Sequence, residues 1–280
     1  MKICVTGGAG SIGTEVVARI CGEHTVRVMD ISEEGLWNTQ AMFPGVDTVL
    51  GDVTSVLDCM KAAKDQDAVI HCAAVKHIDQ CERSPEVARR VNVVGTMNML
   101  GAAPNARFVF VSTDKAIDPV SVMGETKRWA ELLVIERGGN VARFGNVLGT
   151  RGSLIPMVKR CAAMGTPITL TDPMMTRWMM TAREAVDVVI HAMTAEEESR
   201  VIGPQKLRSV RIGSFIAKCR DRYAPGQAIV RIATRPGERT HEPMELPSGQ
   251  KVMSDNKKYL MSEYDTLFTE IETEAVRGSH

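Results

Sequence analysis

The sequence predicts an α/β protein built on a doubly wound parallel sheet, a Rossmann-type fold, with a smaller substrate-binding cap towards the C-terminus. Three observations predict it. A glycine-spaced turn sits between a short apolar strand and a helical pattern at the start of the chain. Six short apolar, β-branched runs alternate with helical stretches as far as Arg143. From Phe144 onwards that alternation gives way to a glycine-rich loop and a stretch denser in arginine and proline. The bulk numbers fit one large α/β chain: 280 residues, 44% apolar and 24% charged.

Taken in order, Met1–Thr6 reads as a buried strand that runs directly into Gly7, Gly10, Ser11, Ile12 and Gly13, with a helix to about Cys21. Glycines at this spacing permit a tight turn, let the backbone approach a pyrophosphate, and let the helix pack close to the strand. The strand before and the helix after supply the context the motif needs. A second strand, Thr25–Met29, leads to Asp30, near the spacing at which an acid accepts the hydroxyls of a ribose. With no arginine immediately after it, Asp30 predicts NAD in preference to NADP. A third strand, Asp47–Gly51, ends at Asp52 and Val53, where Asp52 meets an adenine or simply forms a turn. A fourth, Ala68–Cys72, runs into Ala73, Ala74, Lys76 and His77. The small alanines allow a cofactor to lie against the strand end, and Lys76 and His77 are open either to a nicotinamide-side or substrate contact or to solvent.

A helix is expected over Pro85–Ala102, with Asn92 near its middle in a structural role. The fifth strand, Arg107–Ser112, opens onto Thr113, Asp114 and Lys115, and a helix then runs from about Ser121 to Glu136. Met123 and Lys127 share one face of it at spacing i, i+4. An acid and an amine at the carboxyl end of a parallel strand suit proton chemistry beside a cofactor. The sixth strand is Asn140–Arg143.

This gives a cofactor-binding part over residues 1–143 and a mainly substrate-binding, discontinuous part over 144–276. Residues 277–280, Arg-Gly-Ser-His, read as the remnant of an expression tag. Within the second part lie a helix from about Leu154 to Met164, a short strand over Pro167–Asp172 and a helix ending near Met193. Arg151, Arg177 and Arg235 are candidates to grip a diphosphate, as guanidinium groups do in bidentate fashion.

Charge and cysteine usage bound the class. Lys plus Arg and Asp plus Glu both total 34, so no basic excess points to nucleic acid. Seven cysteines without C-x-x-C pairs fit a reducing, cytoplasmic setting. No apolar run reaches the roughly 18–20 residues of a membrane span, and no metal-ligand pattern is read.

The stretches TGGAGSIG, HCAAVKH, STDKAIDPVSVMGETKR, RFGNVLGTRGSLIP and TDPMMTRWMMTAREAV, in this order, closely resemble the extended short-chain dehydrogenases/reductases. Within them they are similar to the nucleotide-sugar 4,6-dehydratases of polysaccharide biosynthesis. The resemblance implies NAD-dependent dehydration of UDP-N-acetylglucosamine to a 4-keto-6-deoxy sugar nucleotide. It implies Thr113 bonding the carbon 4 hydroxyl, Lys115 as the carbon 5 base, Asp114 as the acid, and Lys127 bonding the nicotinamide ribose. Asn146, Arg151, Arg177 and Arg235 would hold the UDP, and a homo-oligomer is expected.

Met123 stands where the family usually carries tyrosine, so the triad reads Thr113-Met123-Lys127. A thioether takes no proton from a hydroxyl. One branch of the dehydratases, often fused to membrane segments, shares this methionine; a soluble, stand-alone version is expected here, with the base for the hydride step left open. Two other readings stand beside this one: a nucleotide-sugar epimerase or dehydrogenase of the same fold, and a catalytically silent NAD-binding regulator.

Overall fold

The computed structural model describes residues 1–277, and the chain divides into two compact units. The first comprises Met1–Arg143 and Val186–Gly203; the second comprises Phe144–Ala185 and the chain from Pro204 onwards. Arg277 closes the last helix, and Gly278, Ser279 and His280, the rest of the expected tag remnant, lie outside the described residues.

The first unit opens with strand β1 (Lys2–Thr6) and helix α1 (Ser11–Ile20), then β2 (Thr25–Asp30), α2 (Glu33–Met42), β3 (Asp47–Leu50), α3 (Val56–Ala63) and β4 (Ala68–His71). Short helices α4 (Ile78–Arg83) and α5 (Pro85–Arg89) follow. A π-helical turn over Arg90–Val94 then leads into α6 (Gly95–Ala102). Strand β5 (Arg107–Thr113), a 3-10 turn over Asp114–Ala116, α7 (Val122–Glu136) and β6 (Asn140–Phe144) complete the regular alternation. The second unit contributes β7 (Asn146–Val147), α8 (Leu154–Met164), β8 (Ile168–Leu170) and β9 (Thr176–Met180). Helix α9 (Ala182–Thr194) carries the chain back into the first unit, where β10 (Val201–Ile202) follows. The second unit resumes with β11 (Ser209–Arg211), α10 (Ile212–Tyr223), β12 (Ile229–Arg231), β13 (Pro243–Glu245), β14 (Lys251–Met253) and α11 (Asp265–Arg277).

Seven strands form one sheet in the order β10-β6-β5-β4-β1-β2-β3. Strand β1 pairs in parallel with β2 on one side and β4 on the other, Val5 lying between Val28 and Ile70. The chain therefore winds outward from β1 in one direction and from β4 in the other. That reversal leaves a crevice at the carboxyl ends of β1 and β4, where ligands bind in sheets of this kind. Six of the seven strands are those expected from the apolar runs. The seventh, β10, is two residues long and pairs with β6 at Val141 and Ala142, too short to leave a periodicity. The central strands are buried on both faces, with Ile3, Cys4, Val5, Val69 and Ile70 fully covered, which is why they read as continuous apolar runs.

One expectation is corrected. The helix predicted over Pro85–Ala102 is two α-helices joined by the π-helical turn. Asn92, inside that turn, is 1% exposed, and its carboxamide clamps the residues after β4. Its Oδ1 accepts from the Val75 N–H at 2.8 Å, and its Nδ2 donates to the Val75 carbonyl and Thr126 Oγ1, each at 3.0 Å. A π-turn is a common device for aiming one side chain out of helical register.

The second unit has its own core, with Val158, Ile168, Val210, Phe215 and Leu267 at its centre. Its three-stranded sheet β11-β9-β7 includes Thr176–Met180, residues that were not expected to form a strand. All five are buried, so no alternation marks them.

Candidate functional site

A cleft of about 340 Å³ opens in the first unit at the reversal point. Gly7, Gly10, Ser11, Ile12 and Gly13 line one side; Asp30, Asp52 and Val53 follow β2 and β3; Ala73, Ala74 and Lys76 follow β4. The turn after β1 cannot be built from other residues. Gly7 has φ +64°, and a Cβ there would lie 2.6 Å from the Ala73 nitrogen; a Cβ on Gly13 would meet the Gly7 carbonyl oxygen. Helix α1 begins at Ser11 with no side-chain cap, and its N-terminal N–H groups make a ready site for an anion. Asp30 ties the loop in place: Oδ2 accepts from the Ala9 N–H and Oδ1 from the Ser32 N–H, both at 3.0 Å. Each oxygen keeps a further lone pair for a ribose hydroxyl. The space a side chain would fill, the open helix terminus and the carboxylate together fit a dinucleotide.

Lys127, expected to reach the cofactor, is not among the residues lining this cleft. It is 5% exposed, and its Nζ donates to the Val111 carbonyl at 2.8 Å while lying 4.4 Å from the centre of the Phe110 ring. Burial pushes its amine down from the usual 10.5 to about 8, with Cys72, Glu131 and Cys81 pulling the other way. His77, expected to face the nicotinamide or the substrate, is exposed at the N-terminus of α4 and does not line the cleft either.

The Thr113-Asp114-Lys115 cluster sits where β5 ends in the 3-10 turn. Asp114 is fully buried; its Oδ1 accepts from Lys115 Nζ and from Thr113 Oγ1, both at 2.9 Å. Its Oδ2 is buried with no hydrogen-bond partner among the described residues. Such an oxygen costs stability unless something else bonds it. Helix α7 packs tightly under this turn, because a Cβ at Gly124 would run into the Lys115 carbonyl oxygen. Ser121 caps the helix by accepting from the Gly124 N–H at 3.1 Å. Met123 is 4% exposed and packs with Cys81 and Ala88, Val75 lying against them.

In the second unit the candidates for diphosphate binding fare differently. Asn146 begins β7, Arg151 is exposed in the loop after it, and Arg235 is exposed at a turn closed with Glu238. Arg177 is buried in β9, and its guanidinium donates to the Thr176 and Thr240 carbonyls at 2.8 and 3.1 Å. It also lies 3.8 Å from the Glu242 carboxylate. The hydrogen bond from Nη1 ties β9 to the chain at Thr240.

Two features were not read from the sequence. Cys72 and Val75 also line the cleft, and their place beside the two alanines after a predicted strand was a usable signal. Glu131, Arg143 and Ser112 form a buried cluster behind the strand end. A glutamate one turn beyond Lys127 looks like helix surface, so nothing in the pattern marked it. Among the described residues no group of His, Cys, Asp and Glu could hold a metal, and no helix is long and apolar enough to cross a membrane.

Comparison with known proteins gives the family. Residues 3–263 match the family described as polysaccharide biosynthesis protein. An uncharacterised membrane protein of Methanocaldococcus jannaschii is 37% identical, over 95% of this chain and 84% of its own. The capsular polysaccharide biosynthesis protein CapD of Staphylococcus aureus is 36% identical over 68% of this chain, which spans about a third (35%) of that relative's length. A UDP-glucose 4-epimerase of Rickettsia massiliae is 30% identical over 92% of this chain and 81% of its own. Among solved structures, Pen from Bacillus thuringiensis superposes with a TM-score of 0.87 at 27% identity, covering 95% of both chains. DesIV, a dTDP-glucose 4,6-dehydratase of Streptomyces venezuelae with NAD bound, shares the fold at a TM-score of 0.78 and 21% identity, over 86% of this chain and 87% of its own. The glycine turn, the strand-end cluster and the match over 3–263 together make the chain a member of the polysaccharide biosynthesis protein family, on the fold of the short-chain dehydrogenases/reductases that modify nucleotide sugars.

Proposed function

We propose that this chain is an NAD-dependent nucleotide-sugar 4,6-dehydratase acting on UDP-N-acetylglucosamine. The observation that carries the proposal is the Asp114–Lys115 pair, an acid and an amine bonded at 2.9 Å beside Thr113 at a strand end in the same unit as the dinucleotide-type cleft. Dehydration needs an acid and a base together at carbons 5 and 6, whereas moving hydride to and from carbon 4 alone needs only an acceptor for one hydroxyl proton.

The bound cofactor would supply a hydride acceptor for carbon 4 and return that hydride to carbon 6. Gly7, Gly10, Ser11, Ile12 and Gly13 would carry its pyrophosphate, Asp30 its adenosine ribose, and Asp52 and Val53 its adenine. Ala73, Ala74 and Lys76 would lie along its nicotinamide half, and Lys127 would bond the nicotinamide ribose. Thr113 would hold the carbon 4 hydroxyl. As the hydride leaves carbon 4, the proton of that hydroxyl would pass to solvent water, since the Met123 thioether takes none, and once carbon 4 is a ketone the proton on carbon 5 is acidic. Moving one proton from Lys115 Nζ to Asp114 Oδ1 along their hydrogen bond turns the ion pair into a neutral amine and a carboxylic acid. The amine then takes the carbon 5 proton, and the acid gives its proton to the carbon 6 hydroxyl, which leaves as water; as the hydride reaches carbon 6 the Lys115 ammonium would return a proton to carbon 5 and be recharged from solvent. A lysine acts as a base only in this neutral form. Asn146, Arg151 and Arg235 would hold the UDP, with Arg177 retained as a strut.

Incubation with UDP-N-acetylglucosamine and NAD, followed by mass spectrometry, tests the proposal. Loss of one water from the sugar nucleotide is expected. Conversion to an isomer without loss of water would favour epimerisation, the activity of the Rickettsia relative. No conversion, with NAD binding intact, would leave the silent regulator. Because Asp30 would repel a 2′-phosphate, NAD should bind more tightly than NADP; calorimetry showing the reverse would refute that assignment.

A further inference from the structure

The buried cluster behind the catalytic strand end has no part in the chemistry above. Glu131 is 1% exposed at its side chain and Arg143 is 3% exposed. Arg143 Nε donates to Glu131 Oε1 at 2.9 Å and Nη2 to Oε2 at 2.6 Å. Ser112 Oγ donates to the same Oε1 at 2.7 Å, and the half-exposed Arg128 reaches Oε2 at 3.2 Å. One carboxylate thus joins β5, α7 and β6. The tie to β5 falls at Ser112, immediately before Thr113, and the adjacent Val111 carbonyl is the one held by Lys127. Two consecutive residues of the strand end are therefore fixed from one face of α7, by side chains four residues apart.

We propose that Glu131 is a positioning residue for Lys127: braced by Arg143 and Ser112, it fixes α7 against the strand end and supplies the buried carboxylate that balances the Lys127 ammonium. The groups acting on that amine come from three elements and the loop after one of them. They are His71 on β4 with Cys72 just after it, Cys81 on α4, and Glu131 on α7 itself. His71 is held neutral by burial, and burial pushes the Cys72 thiol up to about 12. Cys81 is likewise raised by burial. The remaining group is the Glu131 carboxylate, which Arg143 engages at both oxygens. Removing its charge leaves Arg143 uncompensated, and both changes push the amine the same way, towards release of its proton.

The inference rests on the proposed function only in giving Lys127 a task; its test does not depend on dehydration. Lysine-labelled protein would be titrated by NMR, with the Lys127 signal identified by its absence in Lys127→Met. In Glu131→Gln the Lys127 midpoint should fall by about one pH unit, a tenfold rise in its amine-to-ammonium ratio, while Glu131→Asp should stay near wild type. If Arg143 left unpaired prevents Glu131→Gln from folding, Glu131→Gln/Arg143→Met is titrated instead, and a downward shift is again required. An unmoved midpoint in the folded variant would reduce the cluster to a structural tie and overturn the proposal. Failure to dehydrate UDP-N-acetylglucosamine alongside a shifted midpoint would leave this inference standing and remove the functional one.

Discussion

At the scale of single residues, the proposed reaction separates groups that would move protons from groups that would hold position. Lys115 and Asp114 are the first kind. Lys115→Met should leave cofactor and sugar-nucleotide binding nearly intact and lower turnover by about 10²–10⁴, the usual worth of a general base. A variant turning over within about threefold of wild type would assign the carbon 5 proton to another group. Lys127 is the second kind, and its burial has a measurable cost. Unfolded, its amine holds a proton to about pH 10.5; folded, only to about 8. Below pH 8 both states are charged and the folded state bears the full desolvation penalty. Between the two values the unfolded chain binds a proton the folded chain lacks, so stability from this group rises with pH. Lys127→Met should therefore stabilise the fold by about 3 kcal/mol at pH 7, a gain that shrinks as the pH passes 8. Denaturant unfolding at pH 7 and at higher pH checks it, and a destabilised or pH-independent variant would contradict the assignment.

At the scale of elements, what was legible in the sequence was whatever leaves a local trace. Strands β1 to β6 show as short apolar runs, and α8 shows as a helical stretch with the expected ends, Leu154 and Met164. The glycine turn shows because positive φ and close approach admit no other residue at Gly7. What leaves no local trace was not legible. Strand β10 is made by its neighbour β6, and β9 is buried on every residue. Arg177 looks like any surface arginine until Thr240, far along the chain, closes over it. Asn92 stands between these cases: its structural role was readable, its π-turn was not. Asn92→Ala should cost about 2 kcal/mol, since the buried backbone groups of Val75 lose their partners. Amide exchange at Val75 should quicken before that of β4 does. Equal protection in the variant would mean the carboxamide is not what holds this segment.

At the scale of the whole molecule, the proposed reaction makes a prediction about hydrogen bookkeeping that no single residue makes. A complete dinucleotide-type cleft and an acid–amine pair lie in one unit, while Met123, packed with Cys81 and Ala88, offers no proton relay. If one hydride leaves carbon 4 and arrives at carbon 6 within a turnover, no reductant is consumed and no NADH builds up. Substrate deuterated at carbon 4 should then give product deuterated at carbon 6 in ordinary water. The hydrogen on carbon 5 follows the other route: it passes through Lys115, so in heavy water carbon 5 should gain deuterium from solvent. Met123→Leu keeps the volume of the side chain and removes only the sulfur, a swap that usually costs under about 1.5 kcal/mol, so it should preserve both label patterns and most of the rate. Deuterium washed into solvent from carbon 4, or stranded on the cofactor, would show that the hydride does not stay within the turnover. A Met123→Leu enzyme that folds and binds both ligands yet fails to turn over would show that the thioether does more than fill space.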